Sequence, residues 1–126
     1  MSTKTIAASL IIFCASSYNG YVSADHQAMT TMATIVMNLN HYPSDDDKIK
    51  LEQIATADGT EEAEKAIANA IMNIKHQATS ADKRTLSKLS EDVSSAESIR
   101  VLAGIVSRIN HTTSDADKRK LKELIH

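Results

Sequence analysis

The sequence predicts an all-α fold of three 35-residue helix–turn–helix repeats, six helices in total, arranged as a short α-solenoid-like stack or a compact helical bundle. Three observations carry this. The stretch 37–51 recurs at 72–86 and again at 107–121 without a gap. Within it His41/His76/His111, Asp47/Asp82/Asp117, Lys48/Lys83/Lys118 and Leu51/Leu86/Leu121 are identical, and Ala33/Ala68/Ala103 match upstream. The apolar residues around these anchors keep a helical period. Finally, 3 Gly and 1 Pro in 126 residues are too few turn signals for an all-β chain.

In each repeat the first helix is expected near 26–41, 61–76 and 96–111. Met29, Met32, Val36 and Leu39 are spaced to share one face, as are Ala63, Ile67, Ile71 and Ile74, and Ile99, Leu102, Val106 and Ile109. Ala33, Ala68 and Ala103 widen that face and permit close backbone approach. Pro43 punctuates the turn that follows. Ser44, Thr79 and Ser114 then stand where a hydroxyl can accept from a free N–H of the next helix. Asp47, Asp82 and Asp117, three residues on, occupy the acidic place of a capping box and meet the positive helix end. The second helices carry only a narrow stripe, Leu51/Ile54, Leu86/Leu89 and Leu121/Leu124, so the first helices should build most of the core. Between repeats, Asp58-Gly59-Thr60 reads as a break and a cap, and Ser94 with Glu97 as a second capping box. The repeats span about 25–59, 60–94 and 95–126.

A 35-residue helical hairpin resembles tetratricopeptide-type repeats in size and hairpin order. The Trp, Gly, Tyr and Phe positions of that signature have no counterpart here, and the chain is not assigned to that family.

Residues 1–24 read as a cleaved signal peptide. A short start with Lys4 precedes the apolar run Ile6–Ala15, and Val22-Ser23-Ala24 suits cleavage before Asp25. The run is too short for a transmembrane helix, which needs roughly 20 residues. Phe13 stands where a lipoprotein signal would carry a small residue before Cys14. The expected product, residues 25–126, is a single exported domain, periplasmic or extracellular. It has no Cys, which excludes disulfides and thiol chemistry, and its one aromatic residue is Tyr42. Aliphatic packing must hold it together, each buried large side chain contributing roughly 1.5–3 kcal/mol.

The repeated His-x5-Asp-Lys unit has two readings. Structurally, His41, His76 and His111 would sit at the negative ends of the first helices, and Asp47, Asp82 and Asp117 would cap the second helices. Functionally, the same residues could bind a metal or small ligand. Equivalent residues on neighbouring packed helices are expected roughly 8–10 Å apart, too far for one ion unless the bundle curls sharply, so no metal site is assigned. Met29, Met32 and Met37 suggest Cu(I) chemistry, but Met29 and Met32 fall on the core stripe. Asp45-Asp46-Asp47 fails the EF-hand pattern, because Lys50 replaces its turn Gly and the acidic twelfth position is absent. Asn110-His111-Thr112 is a glycosylation sequon.

No catalytic signature and no cofactor motif is present. The whole-chain charge of −2 argues against nucleic acid as a partner. That figure hides an acidic front, with 9 acidic and 2 basic residues over 25–64, and a basic rear, with 7 acidic and 11 basic over 65–126. Lys118, Arg119, Lys120 and Lys122 make the last helix a basic amphipathic stretch able to touch an anionic surface weakly. The functional expectation is a non-enzymatic protein-binding module (an adaptor, inhibitor or immunity-type protein) with another protein as partner. The alternative is a periplasmic metal- or small-ligand-binding protein using the repeated His and Asp.

Overall fold

The computed structural model describes residues 24–126, and within them the chain is all-helical with no strand. The helices are α1 Ala24–Met37, α2 Asp45–Thr56, α3 Glu62–Met72, α4 Ser80–Glu91, α5 Glu97–Ser107 and α6 Asp115–Ile125. The expected signal segment lies outside the described residues, apart from Ala24 at the start of α1. No described helix is long and apolar enough to cross a membrane.

The six helices close on themselves. Each second helix packs chiefly on the first helix of the next repeat, α2 on α3 and α4 on α5, while α6 returns to α1. The first helices α1, α3 and α5 touch in all three pairs. This is a compact bundle with a near three-fold arrangement, and the open superhelix is excluded. The inner faces carry Met32, Val36, Ile67, Ile71, Leu102 and Val106, all with 0% exposure. Ala33, Ala68 and Ala103 are equally buried, which fits their small size at a close approach. The outer helices each bury one leucine completely, Leu51, Leu86 and Leu121, with Ile54, Leu89 and Leu124 at the margin. Tyr42 is exposed, so among the described residues no Phe, Tyr or Trp ring enters the core.

The outer helices start as the hydroxyl pattern predicts. Ser44, Thr79 and Ser114 Oγ accept from the N–H of Asp47, Asp82 and Asp117, each at 3.1 Å. The return half of the box forms only in the first repeat, where the Ser44 N–H donates to Asp47 Oδ2 at 3.4 Å. The other two carboxylates take a donor from the residue that ends the preceding helix. Asn73 Nδ2 donates to Asp82 at 3.1 Å, and Arg108 grips Asp117 through Nε at 3.0 Å and Nη2 at 2.6 Å. The Arg108 hydrogen bonds hold the Asp117 carboxyl below its usual range, against an opposing contribution from burial.

Three sequence expectations need correction. The first helices stop at Met37, Met72 and Ser107, four residues before each histidine. Their last turns tighten, with Leu39, Ile74 and Ile109 N–H donating to Val36, Ile71 and Val106 at 3.3, 3.1 and 3.4 Å, a three-residue step that ends the α ladder. The Ser94/Glu97 box does not form. Ser94 gives its N–H and hydroxyl to Asp92 at 3.0 and 2.6 Å, a carboxylate two residues away that takes both donors in a local turn. Ala96 caps α5, and Glu61 rather than Thr60 precedes α3, neither with a side-chain bond.

Candidate metal centre

The three turns inside the repeats meet at one end of the bundle. Each is built around a histidine with positive φ, 71° at His41, 71° at His76 and 69° at His111. That region is uncommon for residues other than glycine, though histidine enters it more readily than most. In the first and third repeats the chain closes a three-residue turn across the histidine. Tyr42 N–H donates to the Asn40 carbonyl at 2.9 Å, and Thr112 N–H to Asn110 at 2.8 Å. With that φ these match the rare and strained γ-turn. In the second repeat Lys75 N–H faces the Gln77 carbonyl at 3.3 Å instead.

The strained backbone is held by a ring. His41 N–H donates to the His111 carbonyl at 2.6 Å, His76 to His41 at 2.7 Å, and His111 to His76 at 2.6 Å. Each histidine gives one bond and receives one, so the ring satisfies the backbone N–H and carbonyl of all three. Behind the ring, Pro43, Ala78 and Thr113 hold equivalent buried positions. The Thr113 hydroxyl donates to the Val36 carbonyl at 2.6 Å, clasping the third repeat to the first.

The imidazoles follow the backbone. Ring centroids are 5.1 Å apart for His41–His76 and for His41–His111, and 4.8 Å for His76–His111. One nitrogen from each ring lies within 4.8 Å of the others. His41 is half-buried, while His76 and His111 are exposed. His76 Nδ1 and His111 Nδ1 are 3.0 Å apart. His41 Nδ1 is 2.7 Å from Asn40 Oδ1. An amide oxygen only accepts, so His41 Nδ1 is the donor in this contact.

This geometry corrects the expected 8–10 Å separation. That figure holds for side chains on stacked helices. These side chains belong to turns on the axis of a closed ring. Two nitrogens about 2.0–2.1 Å from one tetrahedral ion lie roughly 3.3–3.4 Å from each other. The His76–His111 pair is already close to that distance, joined by a hydrogen bond whose proton a metal would displace, and His41 would complete the set from within 4.8 Å. Imidazole suits Zn, Cu and Ni, and the Asn40 contact to His41 is the outer-shell bond that ligating histidines usually make.

Asp47, Asp82 and Asp117 do not join the histidines; their N–H groups are capped at the starts of α2, α4 and α6, and their carboxylates are taken by the Ser44 N–H, Asn73 and Arg108. Asp45 and Asp46 likewise occupy the first turn of α2. Met29 and Met32 are core residues. Sequence reasoning missed Asn40, whose signal was its place directly before the repeated histidine, shared by Lys75 and Asn110. No protein-family model matches this chain, and no curated protein or solved structure matches it at a significant level. The functional reading therefore rests on the histidine pole itself.

Proposed function

We propose that the chain is an exported, non-enzymatic protein that binds one divalent transition-metal ion, Zn²⁺ or Cu²⁺, through His41, His76 and His111. The observation that carries this is the convergence of three imidazoles, with nitrogens within 4.8 Å of one another, on turns locked by their own backbone ring. Bound metal would tie together side chains 35 and 70 residues apart and so brace the closed bundle. Cu²⁺ should bind more tightly than Zn²⁺ in the same nitrogen site. Ligation needs neutral imidazole, so acid competes with the metal. Export is supported by the three-part pattern of residues 1–24.

Thermal unfolding of residues 25–126 with and without Zn²⁺ or Cu²⁺ is the direct test. Free metal at 100 times its dissociation constant should add about 2.7 kcal/mol of stability. His76→Ala should remove that gain. An unchanged transition at high micromolar metal would end the proposal. For export, the protein recovered outside the cytoplasm should begin at Asp25.

A second reading, the protein-interaction module, is favoured by one surface. Met37 and Asn38 at the end of α1 form a shallow groove with Asp115, Lys118, Arg119 and Lys122 of α6. An acidic partner held there should be captured at low salt and released at high salt. Loss of capture in a Lys118/Arg119/Lys122 triple alanine variant would separate this reading from metal binding.

A further inference from the structure

We infer that the metal-loaded pole takes an exogenous oxyanion as its fourth ligand, with Lys75 as the second contact of that anion. The inference rests on the three-histidine reading above and adds the class of ligand that completes the site.

Three neutral imidazoles leave the full charge of a divalent ion uncompensated. Tetrahedral sites with three protein ligands keep an open position for water or an added ligand. The residues flanking the histidines are Asn40, Tyr42, Lys75, Gln77, Asn110 and Thr112, and all six are exposed. None is a carboxylate, thiolate or imidazole, the side chains that usually close such a site. The nearby carboxylates Asp82 and Asp117 are engaged by Asn73 and Arg108. The backbone N–H groups of the three histidines are spent within the ring. Among the described residues the flanking side chains offer no such ligand, so the fourth position falls to water or an added ligand, and an anion there would offset the charge of the ion as water does not.

The collar is also asymmetric in a way that favours one. At the position before each histidine, the first repeat has Asn40, whose side chain reaches the imidazole at 2.7 Å. The third repeat has Asn110, and the second has Lys75. Lys75 is exposed at the same register place, and only in the second repeat is that residue cationic. Beside it, Lys83 Nζ donates to Gln77 Oε1 at 2.6 Å, so a second ammonium borders the same edge. An oxyanion on the metal would meet positive charge on the second-repeat side and neutral amides and hydroxyls elsewhere.

Cobalt(II) offers a visible readout, because its d–d bands report coordination number and ligand set. Residues 25–126 loaded with Co²⁺ should give bands distinct from the aqua ion, and acetate or inorganic phosphate should shift them saturably. Preference between the two arms identifies a carboxylate or a phosphate as the better fit. Lys75→Ala should weaken anion binding by about fivefold, the size of a partly exposed ion pair, and Lys75→Glu should weaken it further. Lys75→Ala should bind Co²⁺ with an affinity close to the parent's, because Lys75 is not itself a ligand, whereas Glu at this place brings a carboxylate that can itself close the site. Protein-bound Co²⁺ bands that no oxyanion moves would overturn this inference and leave metal binding intact. Anion affinity unchanged in both Lys75 variants, or bands that collapse to the aqua ion as the anion strips the metal, would overturn it as well. Absence of any protein-bound Co²⁺ spectrum would instead count against the three-histidine site.

Discussion

The two ends of the bundle axis use the same register in opposite ways. At one end the triple is His41, His76 and His111, identical in type, alike in φ and joined by one backbone ring. At the other, the equivalent triple is Met29, Glu64 and Ile99, which line one small pocket with His26, Glu61, Ala96 and Leu124. All three members of the second triple are buried, yet they share no chemistry. Burial alone tolerates a thioether, a carboxylate and a branched alkyl group at one symmetric place. Identity is kept where three side chains must meet each other with the same atoms. The connections agree: turns inside repeats are capped alike, whereas those joining repeats lack a side-chain cap on the following helix and differ from each other.

The largest expected effect breaks both ends together. Leu102 is fully buried on an inner helix, and Leu102→Ala should cost about 2–5 kcal/mol in urea unfolding. Next comes the clasp behind the histidine ring. Thr113→Val keeps the shape but removes the hydroxyl donor, leaving the Val36 carbonyl with the longer Leu39 N–H bond at 3.3 Å, at a cost of about 0.5–1.5 kcal/mol, and hydrogen exchange should quicken at the histidine pole before the Met29 end.

A smaller effect sharpens the difference among the three caps. The Asp117 carboxyl is held below its usual range by Arg108, so its stabilisation is complete above the unfolded carboxylate range near ~4. It is lost as pH falls through the lower folded value. Arg108 is half-exposed, with 50% side-chain accessibility, which limits the contribution to about 0.5–1 kcal/mol. In Arg108→Ala, stability should fall less steeply with acid, as followed by circular dichroism below pH ~4.

The smallest change in the metal-free protein is the most telling for the histidine pole. Glycine accepts positive φ without strain but loses more freedom on folding. His76→Gly should therefore leave metal-free stability within about 1 kcal/mol of the parent, while removing stabilisation by Zn²⁺. A large loss of metal-free stability would show that the imidazole contacts, rather than the backbone ring, hold this end together.

Fold class was legible because aliphatic spacing and repeated caps are local signals. The spacing of Ile67, Ile71 and Ile74 reads directly as a helix face, and Ser44, Thr79 and Ser114 mark helix starts as they stand. The histidine turns were not legible as turns. Left-handed backbone is normally announced by Gly or Asn, and here His41, His76 and His111 occupy it, so the first helices were drawn too long. Nor could their proximity be read locally. It depends on α6 packing against α1, a property of the whole chain, and without that closure the same three residues would lie a helix spacing apart.

The backbone ring also has a bearing on the order of assembly. The contacts of His76 with His41 and with His111 each close 35 residues of chain, while that of His111 with His41 spans 70. Closure entropy grows only slowly with length, about 0.6 kcal/mol per doubling. It is therefore not length that sets the last contact apart. Once the two shorter loops have formed, the longest-range pair is already held nearby, and its hydrogen bond forms at little further entropic cost. A chain emerging residue by residue can build hairpins from its first two repeats, but it has no closed ring until His111 arrives. The third histidine thus marks completion: when it docks, the first repeat gains its missing acceptor and the third imidazole joins the other two in the same event.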